Sequence, residues 1–455
     1  TVENYGLYNF IINSHRPLQY IWYELQNYLI GINGFYGICS LFITNCFFII
    51  SSYYLYLIIF DNKKLSFFLS ILNILLIFKI EIYSGPVFNH IILASSIYVL
   101  SILFFYKYAF SNKFIYYILS IIFYIIGILW YENGFFIPIL FFFIKYFQNN
   151  NVLKSRSFYL NFLPLIFIIF FYTYYRLSGA FGFNDYASGR QINIFLIYQS
   201  LIDLFNNLIG RTFVRISLYG IYNFFKIHYF YLIILIIFNI FLSLYLINFL
   251  KKFQFFKIKK KEIHYFFLLF VICIFPSILS GNIGPRSMIL SLISIPPFIY
   301  ILFSYIPYKK FFFILIINLF LIIGQGSSWT HIISSRINHS VLSFFILNKD
   351  KLINSDYIIF DKFSFASNIE YTFVKNDYNI FNTYYGAQCF ENWGIISMLD
   401  LATDYLIDAD KLYIVSEKPI IINDNKLIIY EYNSAGYKKI NKQKHTILND
   451  NFFIV

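Results

Sequence analysis

The sequence has few charged residues, and it lacks the motifs of nucleotide and metal enzymes. Asp, Glu, Lys and Arg make up 13% of its 455 residues, whereas a soluble domain typically has about 25%. It contains no phosphate-binding glycine loop, no dinucleotide fingerprint after a strand, no His-Glu-x-x-His pair and no Gly-x-Ser-x-Gly elbow. Its four cysteines form neither a disulfide framework nor a metal-ligand spacing. We therefore expect no cofactor and no metal.

Apolar residues are abundant and occur in long runs. They make up 59% of the chain, with 60 Phe and 43 Tyr, and the mean hydropathy is +0.65. A helix needs about 20 largely apolar residues to cross the roughly 30 Å hydrocarbon core of a bilayer. The sequence therefore predicts an all-α polytopic membrane protein with about ten transmembrane helices in a lipid bilayer. The predicted spans are 35–59, 65–82, 88–108, 114–131, 134–149, 157–175, 229–250, 264–280, 287–305 and 309–325.

The net charge of +13 is concentrated in every second connection between these spans. Because basic loops of membrane proteins face the cytoplasm, this alternation sets the predicted orientation and does not indicate nucleic acid as a partner. The basic residues concerned are Lys63, Lys64, Lys107, Lys113, Lys145, Lys154, Arg156, the lysines between Lys251 and Lys261, Lys309 and Lys310. The alternate short connections contain one basic residue, Arg286.

Three longer segments are then predicted to face outward. The first, 1–34, and the outer loop 176–228 each contain an amphipathic stretch, Leu18–Leu29 and Ile194–Phe225, suited to the membrane interface. Residues 35–325 form the predicted membrane domain, and 326–455 a polar domain outside the cytoplasm. Runs typical of strands, such as 357–360, 412–415 and 426–432, predict that this last domain is α/β or α+β.

Most polar side chains near the membrane map to the outer ends of the predicted spans. Because such groups are costly there unless they are paired or functional, we expect a site at the outer surface. Each candidate has a structural alternative. Glu132 could belong to a helical hairpin turn whose aromatic residues anchor it at the membrane interface. The long side chain of Arg286 could extend to the polar membrane interface, and His90 could be a hydrogen-bonded histidine at that interface.

Several short motifs resemble the GT-C membrane glycosyltransferases, specifically the protein O-mannosyltransferase-like branch. The stretch 14–18, Ser-His-Arg-Pro-Leu, precedes an amphipathic helix and the segment 31–36, Gly-Ile-Asn-Gly-Phe-Tyr. Pro86-Val87 through His90, Glu132 with Pro138, and Arg286 resemble later points of the family pattern. The resemblance covers roughly residues 14–300; His90 replaces an expected acid.

The resemblance implies an inverting transfer, on the outer face, of a sugar from a polyprenyl-phosphate donor to a glycan or protein acceptor. Glu3 would be the catalytic base. The substrate-binding candidates are His15, Arg16, His90, Glu132, Arg176 and Arg286. Since family members begin with a helix and an acidic pair, we also expect a helix and a catalytic acid upstream of Thr1. The expected location is a bacterial inner membrane.

Two other functions remain open at the level of sequence. A polymerase of lipid-linked polysaccharides would share the arginine-rich outer loop, here Arg176, Arg190, Arg211 and Arg215. A glycolipid flippase or transporter would need charges along a path through the membrane, and the centres of the predicted spans contain almost none.

Overall fold

The structure is a computed structural model that describes two compact units, Thr1–Gly326 and Ser327–Val455. The described residues are 16–30, 34–76, 89–148, 156–177, 194–253, 255, 258–279, 285–354, 357–361, 399, 402–403, 406, 412–415, 420–423, 426–432, 442–447 and 452–454. Side chains are described for most, but not all, of these residues.

The first unit is built from helices along its whole described length, and the last of them continues past Gly326 into the second unit. In chain order they are α1 (Pro17–Ile30), α2 (Gly34–Phe60), α3 (Lys63–Leu75), α4 (Asn89–Ser111), α5 (Phe114–Trp130), α6 (Ile137–Gln148), α7 (Arg156–Leu177), α8 (Ile194–Leu208), α9 (Arg211–Lys226), α10 (Tyr229–Lys251), α11 (Lys260–Leu279), α12 (Pro285–Met288), α13 (Ile295–Ser304) and α14 (Lys309–Leu347). Short 3₁₀ turns occupy Glu132–Gly134 and Ser291–Ser294.

Among the described residues, five helical segments are long and apolar enough to cross a membrane: Cys39–Phe60, Asn89–Ser111, Tyr229–Lys251, Lys260–Leu279 and Lys309–Trp329. The chain is therefore a multi-pass membrane protein. Three further apolar helical segments are shorter, at Phe114–Trp130, Asn161–Tyr174 and Ser291–Ser304. Helix α6 has 12 residues and rises only about 18 Å. Within the described part of the chain, full-length spans are therefore fewer than the ten predicted.

Helix α4 forms the centre of this unit. In the stretch of α4 that could span the membrane, 78% of the residues are buried. The corresponding fraction in α10 is 11%, so α10 lies at the periphery of the unit. Helix α4 packs on α2, α5 and α6. Buried serines let helices approach closely, as where Ser101 of α4 donates to the Ser120 carbonyl of α5, a feature common between membrane helices.

The basic connections contact one another at one end of the helices. The Nζ of Lys145 lies 3.2 Å from Oδ1 of Asn112, and the Nζ of Lys310 lies 3.2 Å from the Lys251 carbonyl. Lys261 reaches the Phe147 carbonyl at 3.2 Å. We call this the basic end. Helix α5 leads away from it and, with 17 residues, places Glu132 about 25 Å distant.

The predicted span 287–305 is not one uninterrupted α-helix, because the segment divides into α12, a 3₁₀ turn and α13. Pro296 and Pro297 have no N–H to donate to the carbonyls four residues earlier. The Leu292 carbonyl instead accepts from the Ile295 N–H, and the Ile293 carbonyl accepts from the Tyr56 hydroxyl at 2.6 Å. Both carbonyls are therefore satisfied, as backbone at membrane depth requires.

Two other predicted boundaries change. The span predicted to end at residue 325 continues as α14 to Leu347. The amphipathic stretch around Ile194–Phe225 divides at Ile209 and Gly210 into α8 and α9.

Helices α1, α8 and α9 each expose an apolar stripe. Ile21, Leu25 and Tyr28 form the stripe of α1, with exposed fractions up to 88%. The stripe of α8 consists of Phe195, Tyr198, Leu201 and Phe205, and that of α9 consists of Val214, Leu218, Tyr222 and Phe225. Such helices, rich in aromatic residues, suit the boundary between lipid headgroups and acyl chains.

The second unit contains helix α15 (Lys349–Ile353) and six strands: β1 (Tyr357–Asp361), β2 (Leu412–Val415), β3 (Ile420–Asn423), β4 (Lys426–Tyr432), β5 (Lys442–Ile447) and β6 (Phe452–Ile454). Strand β1 pairs in parallel with β2 and β6, and β4 pairs antiparallel with β2, β3 and β5. Strands thus occur at the three runs named from sequence. The mixed directions require crossovers as well as hairpins.

Candidate functional site

A bidentate ion pair joins the start of α1 to the turn between α5 and α6. Nε of Arg16 donates to one oxygen of Glu132 and Nη2 to the other, both at 2.9 Å. The two side chains are 22% and 29% exposed. Arg16 directly precedes α1, and Glu132 opens the 3₁₀ turn, so the pair lies at the end of α5 that is remote from the basic end.

The guanidinium of Arg16 also packs on an aromatic ring. Its Cζ lies 4.3 Å from the ring centroid of Tyr131, within the range of a cation–π contact. Burial alone lowers the pKa of Arg16, but the Glu132 carboxylate and its hydrogen bonds outweigh burial, so the pKa lies above its ordinary value. Arg16 therefore stays charged at every accessible pH.

Two buried tyrosines fix the backbone of the turn that contains Glu132. The Tyr98 hydroxyl donates to the Tyr131 carbonyl, and the Tyr124 hydroxyl donates to the Phe135 carbonyl, each at 2.7 Å. The Tyr98 ring lies beside Gly134, where an added Cβ would come within 2.5 Å of it. A side chain at this glycine would therefore displace the ring that orients Tyr131.

His90 lies in the first turn of α4 and is 6% exposed. Its ring meets that of Tyr131 at 5.9 Å in a T-shaped arrangement. The preceding residue, Asn89, accepts a hydrogen bond from the Thr44 hydroxyl at 3.2 Å and donates to the Ser40 hydroxyl at 3.1 Å. The start of α4 is thus fastened to α2, which fixes His90 beside the ion pair.

A pair of tryptophans connects α1 to the end of α5, next to the turn that contains Glu132. Trp22 of α1 and Trp130 at the end of α5 lie with ring centroids 5.9 Å apart. Both indole nitrogens are buried without a hydrogen-bond partner, as are Oε1 of Gln19 and Oδ1 of Asn133. Asn133 is 5% exposed, and its Nδ2 donates to the Ser95 hydroxyl at 3.3 Å. Two donors and two acceptors are therefore unpaired around one ion pair.

The structure brings together three of the predicted site residues: Arg16, His90 and Glu132. Glu3 and His15 lie outside the described residues. Arg176 lies in the last turn of α7 and Arg286 in α12, but their side chains are outside what the structure describes. Sequence reasoning placed Arg16 and Glu132 on the same side of the membrane, without indicating that they pair.

The aromatic and amide side chains of this cluster were not among the site residues predicted from the sequence. Trp130 and Tyr131 were visible only as possible interface anchors, Trp22 as part of an amphipathic stretch, and Asn133 as a turn residue. The available signal was the run Trp130-Tyr131-Glu132-Asn133-Gly134, which places an acid between aromatic and amide residues at a helix end.

Among the residues that the structure describes, no group of three or more His, Cys, Asp or Glu side chains could hold a metal ion. What the cluster offers is an oriented cation, a carboxylate, an imidazole and unpaired neutral polar atoms. This combination suits the binding of a polar ligand at a membrane surface.

No protein-family model, curated protein or solved structure matches this chain. The GT-C resemblance therefore stays a prediction from short motifs.

Proposed function

We propose that this protein is a GT-C-like membrane glycosyltransferase that moves a sugar from a polyprenyl-phosphate donor to a glycan or protein acceptor. In this proposal ten spans cross a bacterial inner membrane. The α/β or α+β domain 326–455 lies outside the cytoplasm, where it binds the acceptor.

The observation that carries the proposal is the Arg16–Glu132 ion pair, whose turn is held by tyrosines of α4 and α5 at the end remote from the basic connections. Charged groups beside a bilayer are costly and usually mark a site. The pair involves two of the positions that resemble the family pattern, and His90, a third, lies beside the same tyrosine ring.

The proposed reaction is a single displacement. The carboxylate of Glu3 takes the proton from the acceptor hydroxyl. The hydroxyl oxygen then forms a bond to the anomeric carbon, and the bond from that carbon to the phosphate oxygen breaks. The phosphate leaves with the electron pair, so the configuration inverts.

Preorganised positive charge lowers the barrier to this departure. Arg286 is the proposed partner of the leaving phosphate, and Arg176 and His15 are proposed to bind substrate; these three roles rest on sequence alone. Arg16 is already paired with Glu132, so we assign this pair, with His90, to positioning the donor sugar or the acceptor.

The alternative functions differ in their products. A polysaccharide polymerase would lengthen lipid-linked oligosaccharides, using the arginines of the loop 176–228. A flippase would move glycolipid between leaflets without forming a bond. Neither is favoured by the cluster at Arg16 and Glu132, whose charges lie at a helix end and not along a path across the membrane.

The test is transfer from radiolabelled polyprenyl-phosphate sugars by the full-length protein in membranes. We expect Arg286→Ala to lower the rate by about 100-fold, the usual size for removal of one preorganised group. Glu132→Gln should lower it by about 10- to 100-fold, because misplaced positioning groups have effects of that order. The matched control is Glu262→Gln, in the first turn of α11 near the basic end, which should leave the rate unchanged.

Two results would contradict the proposal. Lengthening of lipid-linked oligosaccharides, without transfer from any lipid-linked monosaccharide, would favour the polymerase. Movement of labelled glycolipid across proteoliposomes, without a new glycosidic bond, would favour the flippase.

A further inference from the structure

The four unpaired atoms around the ion pair discriminate between ligand classes. They are the two indole N–H donors of Trp22 and Trp130 and the two amide oxygen acceptors of Gln19 and Asn133. Buried polar atoms in native proteins nearly always have a partner, so each requires an explanation. Indole N–H groups in particular usually find one.

All four atoms belong to one neighbourhood. Gln19 and Trp22 lie three residues apart on α1, whose first turn follows Arg16, and residues three apart share a helix face. Trp130 ends α5 two residues before Glu132, and Asn133 follows Glu132 in the 3₁₀ turn. The Trp22 and Trp130 rings are 5.9 Å apart. The ion pair between Arg16 and Glu132 ties the two segments together.

The charge of this neighbourhood disfavours an anion. The Glu132 carboxylate accepts from both Nε and Nη2 of Arg16, so the pair carries no net charge and a phosphate would meet a nearby carboxylate. An ionised phosphate also offers only acceptors, and it could satisfy the indole N–H groups but not the amide oxygens of Gln19 and Asn133.

A hydroxyl group both donates and accepts, and can therefore satisfy either kind of unpaired atom. A sugar ring presents several hydroxyls around its edge and apolar C–H groups on its face. The hydroxyls of the edge can accept from the indole N–H groups and donate to the amide oxygens, and the apolar face can pack on an indole ring.

We infer that Gln19, Trp22, Trp130 and Asn133 form a subsite for a neutral sugar ring, separate from the group that binds the donor phosphate. This inference rests on the proposed function for its biological setting. Arg16 and Glu132 act in it as positioning residues, since their pairing holds α1 against the turn after α5.

The experiment measures binding of methyl glycosides of glucose, mannose, galactose and N-acetylglucosamine to the full-length protein in lipid nanodiscs, by titration calorimetry. We expect at least one glycoside to bind saturably. Trp22→Phe and Trp130→Phe keep an aromatic ring but remove the N–H, so each should weaken binding by about three- to tenfold, the effect of one neutral hydrogen bond. Gln19→Leu removes one amide acceptor at a partly exposed residue and should weaken glycoside binding to the same extent. Trp329→Phe, in the second unit, is the matched control and should bind as the wild type does.

Competing ligands separate the possibilities. Inorganic phosphate, and polyprenyl phosphate without a sugar, should leave glycoside binding unchanged. The inference would be overturned if inorganic phosphate competed with the glycoside and this competition were weaker in Trp22→Phe and Trp130→Phe. It would also be overturned if these two variants and Gln19→Leu bound the glycoside with unchanged affinity. Absence of saturable glycoside binding by a protein that still transfers sugar would also overturn it. The reverse result, glycoside binding that depends on both tryptophans in a protein without transferase activity, would contradict the proposed function and support the subsite.

Discussion

At the residue scale, the Arg16–Glu132 pair combines features that most surface ion pairs lack. An exposed pair contributes about 0–1 kcal/mol to stability. This one is bidentate, is less than one-third exposed on both sides, and is covered by the Tyr131 ring. Since the two residues are 116 positions apart in the chain, the pair also links segments that no local interaction would join.

We therefore expect a double-mutant cycle with Arg16→Gln and Glu132→Gln to give a coupling energy of about 1–2 kcal/mol, because bidentate charge-assisted bonds exceed exposed pairs. The measurement is the free energy of unfolding in mixed micelles, by denaturant titration. Each single variant should be less stable than the wild type, and the double variant less destabilised than the sum of the two. Additive effects would mean that the pair contributes nothing to holding α1.

At the element scale, the break between α12 and α13 shows how a membrane protein accommodates two consecutive prolines. The sequence predicts one span over 287–305 because Pro296 and Pro297 lie within an apolar run. Hydropathy depends on side-chain polarity, so it does not reveal that each proline lacks a backbone N–H. The freed carbonyl of Ile293 needs a donor from elsewhere, and Tyr56 of α2 supplies it from 237 positions away. No local pattern in the sequence indicates that partner.

The prediction for this break uses Tyr56→Phe, which leaves the Ile293 carbonyl buried without its donor. We expect a loss of about 1–2 kcal/mol of stability, the usual effect of an unsatisfied buried group. The control is Tyr54→Phe on the same helix, 53% exposed, which should change stability little.

A second substitution tests the cause. Pro297→Ala restores an N–H that can donate to the Ile293 carbonyl four residues earlier, so it should recover part of the loss caused by Tyr56→Phe. If Tyr56→Phe and Tyr54→Phe had equal effects, or if Pro297→Ala deepened the loss, the hydrogen bond would not be what holds the break.

At the scale of the whole molecule, composition alone was enough to identify a multi-pass membrane protein, because apolar runs of spanning length leave few alternatives. The positions of most helices also followed from these runs. The candidate site followed only in part: hydropathy assigned Arg16, His90 and Glu132 to one side, but their mutual contacts depend on how α1, α4 and α5 pack. Packing at such distances along the chain leaves no periodic signal in the sequence.

The number of crossings is the property of the whole chain that most needs a measurement. Lys64 and Lys351 are both exposed, and all the predicted spans except the first lie between them. Nine crossings would put these residues on opposite sides of the membrane. The five long apolar segments alone place four crossings between them, which would put both on the same side.

A cysteine introduced at either position distinguishes the two topologies in intact cells. In a background with Cys389→Ser, which removes the cysteine outside the apolar runs, we expect a membrane-impermeant maleimide to label Lys351→Cys directly and Lys64→Cys only after permeabilisation. This result follows from the positive-inside rule, because Lys64 belongs to a basic connection. Labelling of both from one side would mean that an even number of helices crosses between them. In that case the Arg16–Glu132 site and the second unit would not both face outward, and the proposed transfer on the outer face would be wrong.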